Sequence, residues 1–244
     1  MSRDHYELHE GALLIADAHY SKEHPEFFEF LKAIESGDII TTQLILMGDI
    51  FDLLFGYILL THRRNSDAVA LINRLSERIE ILYLEGNHDF QLSRLFPNVH
   101  VIPVEHQPFL CYIRNKKVML SHGDYRGDWK YRLYLSLIRS SSVLRFLKAV
   151  DIVSGHAIIK RLDRYLIQKD HCRKIPHFDI KTAAHAELFE SYDADVIIEG
   201  HFHQNRSFAY ERFEYINLGA FACNQRYYVV QSENKPKLLQ EVIF

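Results

Sequence analysis

Five short clusters of carboxylate, imidazole and amide side chains recur along the chain. They are Asp17-Ala18-His19, Gly48-Asp49-Ile50-Phe51-Asp52, Gly86-Asn87-His88-Asp89, Ser121-His122-Gly123-Asp124 and Gly200-His201-Phe202-His203. All are hard or borderline donors, which suit Mn²⁺, Fe or Zn²⁺ better than Ca²⁺. Seven residues can form the inner shell of two divalent cations that share one carboxylate. Asp49, central in the motif order, is the natural bridge. Asp17, His19 and His203 complete one cation's shell, and Asn87, His122 and His201 the other's. The chemistry this predicts is hydrolysis of a phosphate ester. Two cations about 3.5–4 Å apart neutralise the anionic oxygens and activate water for in-line displacement.

His88 stands apart from the ligands. It follows Asn87, and adjacent residues leaving a strand point in different directions. It is free to face substrate, either protonating the leaving oxygen or stabilising charge on phosphate. Asp52 is the candidate partner that orients it. Asp89 and Asp124 are read as structural or supporting. A lone D-x-H or H-x-H is common by chance, and the ten histidines outside the clusters are read as ordinary surface or core residues. Five clusters in order, each beside an apolar run, are not ordinary.

Elements must place these groups together. The apolar runs Ala12–Ala16, Thr42–Met47 and Ile79–Leu84 read as strands that deliver Asp17, Asp49 and Asn87-His88. Between them, Pro25 opens a helix with Phe27, Phe28, Leu31 and Ile34 at helical spacing, and Asp67–Arg78 forms a second. This βαβαβ order predicts a parallel sheet with right-handed crossovers and a site at the carboxyl ends of its strands. Val99–Pro103, Phe109–Arg114 and Val118–Ser121 follow as short strands, with a hairpin turn at Asn115-Lys116. Residues Leu133–Val150, Ile152–Ile167 and Ile180–Tyr192 read as helices. Val196–Ile198 returns to strand and delivers His201 and His203, and Ser207–Phe244 reads as a β-meander. The expected division is a core of residues 1–125 and 193–244 interrupted by a helical cap, residues 126–192.

Composition sets the class. At 244 residues and 48% hydrophobic, the chain is long enough for one large domain with an insertion. Met1–Glu10 is polar and acidic and does not read as a secretory signal. The longest apolar stretch, Leu44–Leu60, is interrupted by Asp49 and Asp52, so no membrane span is expected. Cys111, Cys172 and Cys223 have no framework spacing. They are expected to be reduced, each a small buried hydrophobe, in a cytoplasmic protein. The net charge of −3 is uneven: residues 126–181 carry 13 Lys and Arg against 5 Asp and Glu, a formal +8. No aromatic-basic stacking pattern argues for specific nucleic-acid binding.

The order D-x-H, G-D-x-x-D, G-N-H-[DE], H, G-H-x-H resembles the calcineurin-like metallophosphoesterases, over residues 12–125 and 194–222. That resemblance implies a four-layer α/β/β/α sandwich and a two-metal centre at one edge. It implies as ligands Asp17, His19, Asp49, Asn87, His122, His201 and His203, with His88 the catalytic histidine and Asp52 its acidic partner. A narrower resemblance is to the UDP-2,3-diacylglucosamine pyrophosphatases of lipid A biosynthesis. It is carried by Gly86 to Phe90, by His122-Gly123-Asp124, by the helical insertion before Gly200, and by Asn217-Leu218-Gly219-Ala220. The best-known branch has arginine where this chain has His88, and its G-H-T-H-R-P is here Gly200-His201-Phe202-His203-Gln204-Asn205. The resemblance implies two cations, manganese as the metal, and a lipid-linked nucleotide sugar as substrate. Products would be UMP and 2,3-diacylglucosamine 1-phosphate, formed at the cytoplasmic face of the inner membrane. The cap's apolar faces would take acyl chains, while its Lys and Arg would meet diphosphate or anionic lipid. Tyr125, Arg126 and Lys160 are the candidate substrate contacts there. The alternatives are a soluble phosphomonoesterase or phosphodiesterase, or a scaffold that has lost catalysis. A scaffold would show gaps in the ligand set, and this chain shows none.

Overall fold

The computed structural model describes residues 6–124, 130, 133, 137, 139–167, 170–231 and 234–244. Tyr125 and Arg126 lie outside the described residues. The uninterrupted apolar character of the first strands has a direct consequence: both of their faces must be covered. In Leu13–Ile15, Gln43–Leu46 and Glu80–Leu84, which pair in parallel, alternate side chains enter two different cores. Leu13, Ile15, Leu44, Leu46, Ile81 and Tyr83 pack against helices, while Leu14, Ile45, Leu82 and Leu84 pack against a second sheet.

The helices are those that periodicity demands. In Glu26–Ser36, Phe27, Phe30, Leu31 and Ile34 are buried on one face. Glu26 and Glu29 lie in its first turn, favourably placed for the helix dipole. The helix stops at Gly37, whose left-handed backbone (φ 88°) lets its N–H return to the Ile34 carbonyl. Ser66–Leu75 buries Ala68, Leu71, Ile72 and Leu75 beside it.

Across the second core lies a sheet of Glu7–Leu8, Phe109–Ile113, Lys116–Ser121, Val196–Glu199, Glu214–Asn217 and Arg206–Ala209, in that spatial order. Its outer face carries Ile197 and Tyr215 into a third cluster with Phe178 and Phe189, from the short helices Phe178–Ala183 and Ala186–Glu190. The layers are therefore helix, sheet, sheet, helix, as the resemblance implies. The first sheet is completed by His100–Ile102 at one edge and by Arg226–Val230 and Leu239–Ile243 at the other.

Several local expectations need correction. The hairpin turn is Arg114-Asn115, one residue earlier than expected, because Ile113 pairs with Lys116 and Arg114 takes the positive φ. Of the expected helix Leu133–Val150, Ser140 is non-helical and the described helix is Ser141–Val153. The next is Ala157–Ile167, because Gly155 and His156 both adopt positive φ. Leu133 and Leu137 are about half exposed, whereas Leu144 is buried. The residues after Ser207 do not form one meander. Arg206–Ala209 pairs with Glu214–Asn217 in one sheet, Arg226–Val230 with Leu239–Ile243 in the other, and the helix Phe221–Asn224 lies between. Cys111 is buried and free, as expected, but Cys172 and Cys223 are joined in a disulfide. They are 51 residues apart, so no spacing rule could pair them. Among the described residues no helix is long and apolar enough to cross a membrane.

Leu71 is fully buried between helix and sheet. Leu71→Ala should lower the unfolding free energy by about 2–5 kcal/mol, measured by urea titration. An unchanged midpoint would show that this helix–sheet layer contributes little.

Candidate metal centre

The level register of the strands brings their carboxyl ends to one edge. Ile15, Leu46 and Tyr83 are successive cross-strand neighbours in the first sheet, and Ser121 faces Glu199 in the second. The loops that follow carry every cluster found in the sequence. Both sheets contribute: Asp17, Asp49, Asn87 and His88 come from one, His122, His201 and His203 from the other.

The backbone there is held in an unusual state. Asp17, His19, Asp49, His201 and His203 all have φ between 45° and 62°, a left-handed conformation uncommon for non-glycine residues and concentrated at functional sites. Main-chain bonds hold it: Asp17 N donates to Gly48 O (3.1 Å), His19 N to Asp49 O (3.0 Å), and His201 N to the Asp17 carboxylate (2.9 Å). Gly86 is required for a separate reason, since a Cβ there would lie 2.2 Å from Asp49 Oδ1.

Asp89 organises the loops without facing the site. Its buried carboxylate accepts from the N–H groups of Asp49, Ile50, Phe51 and Gly86 and from the Tyr83 hydroxyl, at 2.6–3.3 Å. Burial, with the charge of Asp49, pushes its pKa up to about 7. Asp124, also buried, pairs with Arg139 Nη2 at 2.7 Å, and the same nitrogen donates to Gly86 O at 2.9 Å. Arg139 belongs to the basic segment and was legible there only as one of many cations.

Three clusters of ligand atoms result: Asp17, His19 and His203; Asp49, His122 and His201; and His19, Asp52 and His88. His203 Nε2 lies 3.0 Å from Asp17 Oδ1, and His122 Nε2 3.3 Å from Asp49 Oδ2 and 3.4 Å from Asn87 Oδ1. Asn87 thus stands beside the second cluster. The other ring nitrogens are fixed by carbonyls: His122 Nδ1 donates to Met47 O (3.0 Å), His203 Nδ1 to His171 O, and His88 Nδ1 to Asp52 O (2.9 Å). Asp52 therefore holds His88 through its main chain, while its carboxylate lies 3.2 Å from His19 Nδ1. That differs from the side-chain pairing expected, because the turn at Asp52 points its carbonyl and its carboxylate to different imidazoles. Lys160 is exposed and donates to Gly155 O of its own helix start (2.9 Å).

The donor set fits a divalent cation. His19 is buried with no hydrogen bond to either ring nitrogen. Burial and the neighbouring His88 imidazole hold its pKa well below the usual value, so it is neutral, with the lone pair of one ring nitrogen available. Burial works to raise Asp49, but His122 and His88 outweigh it and hold the carboxyl well below the usual carboxylate range. Burial works to lower His122 and His203; Asp49 and Asp17 respectively override it and raise both.

Sequence reasoning passed over His171. Its ring packs 3.9 Å, centroid to centroid, from that of His19, and its carbonyl fixes His203. Nothing local marked it, since it sits in no motif. Gln107, whose Oε1 accepts from His122 N at 2.7 Å, was equally silent.

A sequence profile described as calcineurin-like phosphoesterase matches residues 12–205. Among curated relatives, the UDP-2,3-diacylglucosamine hydrolase of Photorhabdus laumondii is 27% identical over 82% of this chain and 83% of its own. That of Haemophilus influenzae is 22% identical over 86% and 90%. A solved archaeal phosphodiesterase aligns over 96% of this chain and 99% of its own, with a TM-score of 0.48 and 14% identity.

His122 and His203, with raised pKa values, hold protons that a cation must displace. Divalent-metal affinity should therefore keep rising as pH climbs above the ordinary histidine range, with proton release read by calorimetry in buffers of different ionisation enthalpy. Affinity independent of pH would show that the ligands are already neutral.

Proposed function

Because the chain belongs to the calcineurin-like phosphoesterase family, and is thus a metal-dependent phosphoester hydrolase, we propose that it cleaves the diphosphate of UDP-2,3-diacylglucosamine. UMP and 2,3-diacylglucosamine 1-phosphate are the products. The observation that carries this reading is an apolar cleft of about 420 Å³ that has Asn87 and His88 in its wall. Leu53, Phe55, Ile58 and Phe90 line one side, and Leu144, Leu147, Ile158, Ile159, Leu162 and Leu166 the other. A soluble phosphoester has no use for such a wall, whereas acyl chains gain roughly 0.8 kcal/mol per buried methylene. The relatives' shared name supports the same substrate.

In this reading the cap expected over residues 126–192 is supplied by the helices Ser141–Val153 and Ala157–Ile167, while Phe178–Ala183 and Ala186–Glu190 pack on the second sheet as part of the sandwich. Asp49 would be shared between two divalent cations, manganese in our assignment; Asp17, His19 and His203 would hold one, and Asn87, His122 and His201 the other. Cations bound there supply the Lewis acidity that neutralises phosphate oxygens and lowers the pKa of water. The chain's own groups do the rest. The Asp52 carbonyl accepts a hydrogen bond from His88 Nδ1–H, which leaves Nε2 turned to the other side, 3.9 Å from Asp49 Oδ2. From there Nε2 of the doubly protonated ring stabilises charge on the phosphate or gives its proton to the departing oxygen. The lining of the cleft excludes water beside it. Exposed Phe146, Ile152 and Val153, with Arg145 and Lys148 on the same helix, suit peripheral contact with an anionic membrane surface at the cytoplasmic face.

His88→Ala should reduce turnover by about 10²–10⁴-fold while metal content, read by elemental analysis, is unchanged. Asp49→Ala should lose the metal as well. Metal lost from His88→Ala would reassign His88 as a ligand. The substrate is tested separately. Ile158→Glu, at the partly exposed mouth of the cleft, should raise KM for the diacylated diphosphate about tenfold and leave hydrolysis of bis(p-nitrophenyl) phosphate unaltered. A wild-type preference for the soluble diester would instead make this a soluble phosphodiesterase.

A further inference from the structure

The disulfide lies against one half of the metal centre. His171, next to Cys172, gives its carbonyl to His203 Nδ1. That bond fixes the tautomer and leaves Nε2 facing Asp17, 3.0 Å from Oδ1. The ring of the same residue packs on His19. Cys223 lies in the helix Phe221–Asn224, whose first N–H groups bond the Ala16 and Asp17 carbonyls at 2.9 and 3.2 Å. The bridge therefore ties the residue that orients His203 to the strand end that carries Asp17. From Arg173 onward the segment has other anchors. Ile175 N donates to Gln204 Oε1 at 2.8 Å, and Gln204 Nε2 donates to Arg173 O at 3.2 Å. Around His171 the disulfide is the covalent hold. Cys172 is exposed. Exposed disulfides are the labile ones, and in a glutathione-buffered compartment they act as responsive rather than permanent links. The remaining cysteine, Cys111, is buried, and burial pushes its thiol up, away from the reactive thiolate.

We propose that Cys172 and Cys223 form a site of reversible oxidation that controls cation affinity at the Asp17, His19 and His203 half of the centre. The proposal rests on the metal centre assigned above and is independent of the substrate. The oxidant is a low-molecular-weight disulfide. One protein thiolate attacks it and releases one thiol; the second attacks the mixed disulfide and releases another. Two protein thiols lose two electrons and two protons, and one small disulfide becomes two thiols. Closure holds the His171 carbonyl on His203, and opening releases it. Loss of such an outer partner weakens metal binding by roughly 10–100-fold.

The test compares the metal-stripped full chain after treatment with glutathione disulfide and after reduction by a phosphine that is then removed. Maleimide mass-labelling reports the thiol state, and calorimetry reads Mn²⁺ binding. The oxidised form should bind one Mn²⁺ at least about tenfold more tightly than the reduced form. The double variant Cys172→Ser with Cys223→Ser, which can form neither the bridge nor a mixed disulfide there, should match the reduced protein under both treatments. Equal affinity of the two wild-type forms, a persisting difference in the double variant, or two thiols still labelled after oxidation would each overturn the proposal and leave the centre standing. No binding by either form would remove the centre together with its control.

Discussion

A single buried carboxylate that faces no substrate holds the site in shape. Asp89 gathers four main-chain N–H groups from two loops, and the Tyr83 hydroxyl completes its shell. Those loops carry Asp49, Asn87 and His88. Unpaired, each of these N–H groups would cost about 1–3 kcal/mol inside the protein. The loops cannot separate without leaving that many donors unsatisfied. The left-handed backbone at Asp49 is tolerated because the surroundings over-determine it.

Electrostatics explain why the proposed ligands can lie so deep. Asp17, His19, Asp49 and His122 are almost wholly withdrawn from solvent, where isolated charges are very costly. They are sustained by pairing: Asp17 with His203, and Asp49 with His122. His19 is instead kept neutral. The same burial that strengthens each pair makes a divalent cation a better partner for the carboxylates than a proton on imidazole. The carbonyls behind His122, His203 and His88 settle which ring nitrogen faces inward.

Much of this was readable from residue order. Strands that deliver ligands betray themselves by apolar runs ending in Asp or His, and the helices between them by spacing. The five motifs therefore converge as their order implied. What was not readable depended on contacts distant along the chain. His171 and Gln107 act through atoms that no motif marks, a carbonyl and an amide. Arg139 looked like one basic residue among many until Asp124 and Gly86 were seen against it. The pairing of Cys172 with Cys223 spans 51 residues and leaves no spacing signature. The helix boundaries at Ser140 and Gly155 were not readable, because amphipathic periodicity continues smoothly across such breaks.

The donors come from both sheets. A cation bound at this edge would fasten one half of the sandwich to the other like a rivet through two plates. Such a seat would be sensitive to shear: a small slide of one sheet over the other changes the gap between Asp17, Asp49 and Asn87 on one side and His122, His201 and His203 on the other. The side chains that resist such sliding, among them Leu14, Ile45, Val118 and Ile198, touch no reacting atom. They nonetheless set the spacing on which the chemistry runs, so the calibration of this centre is distributed through the hydrophobic interior.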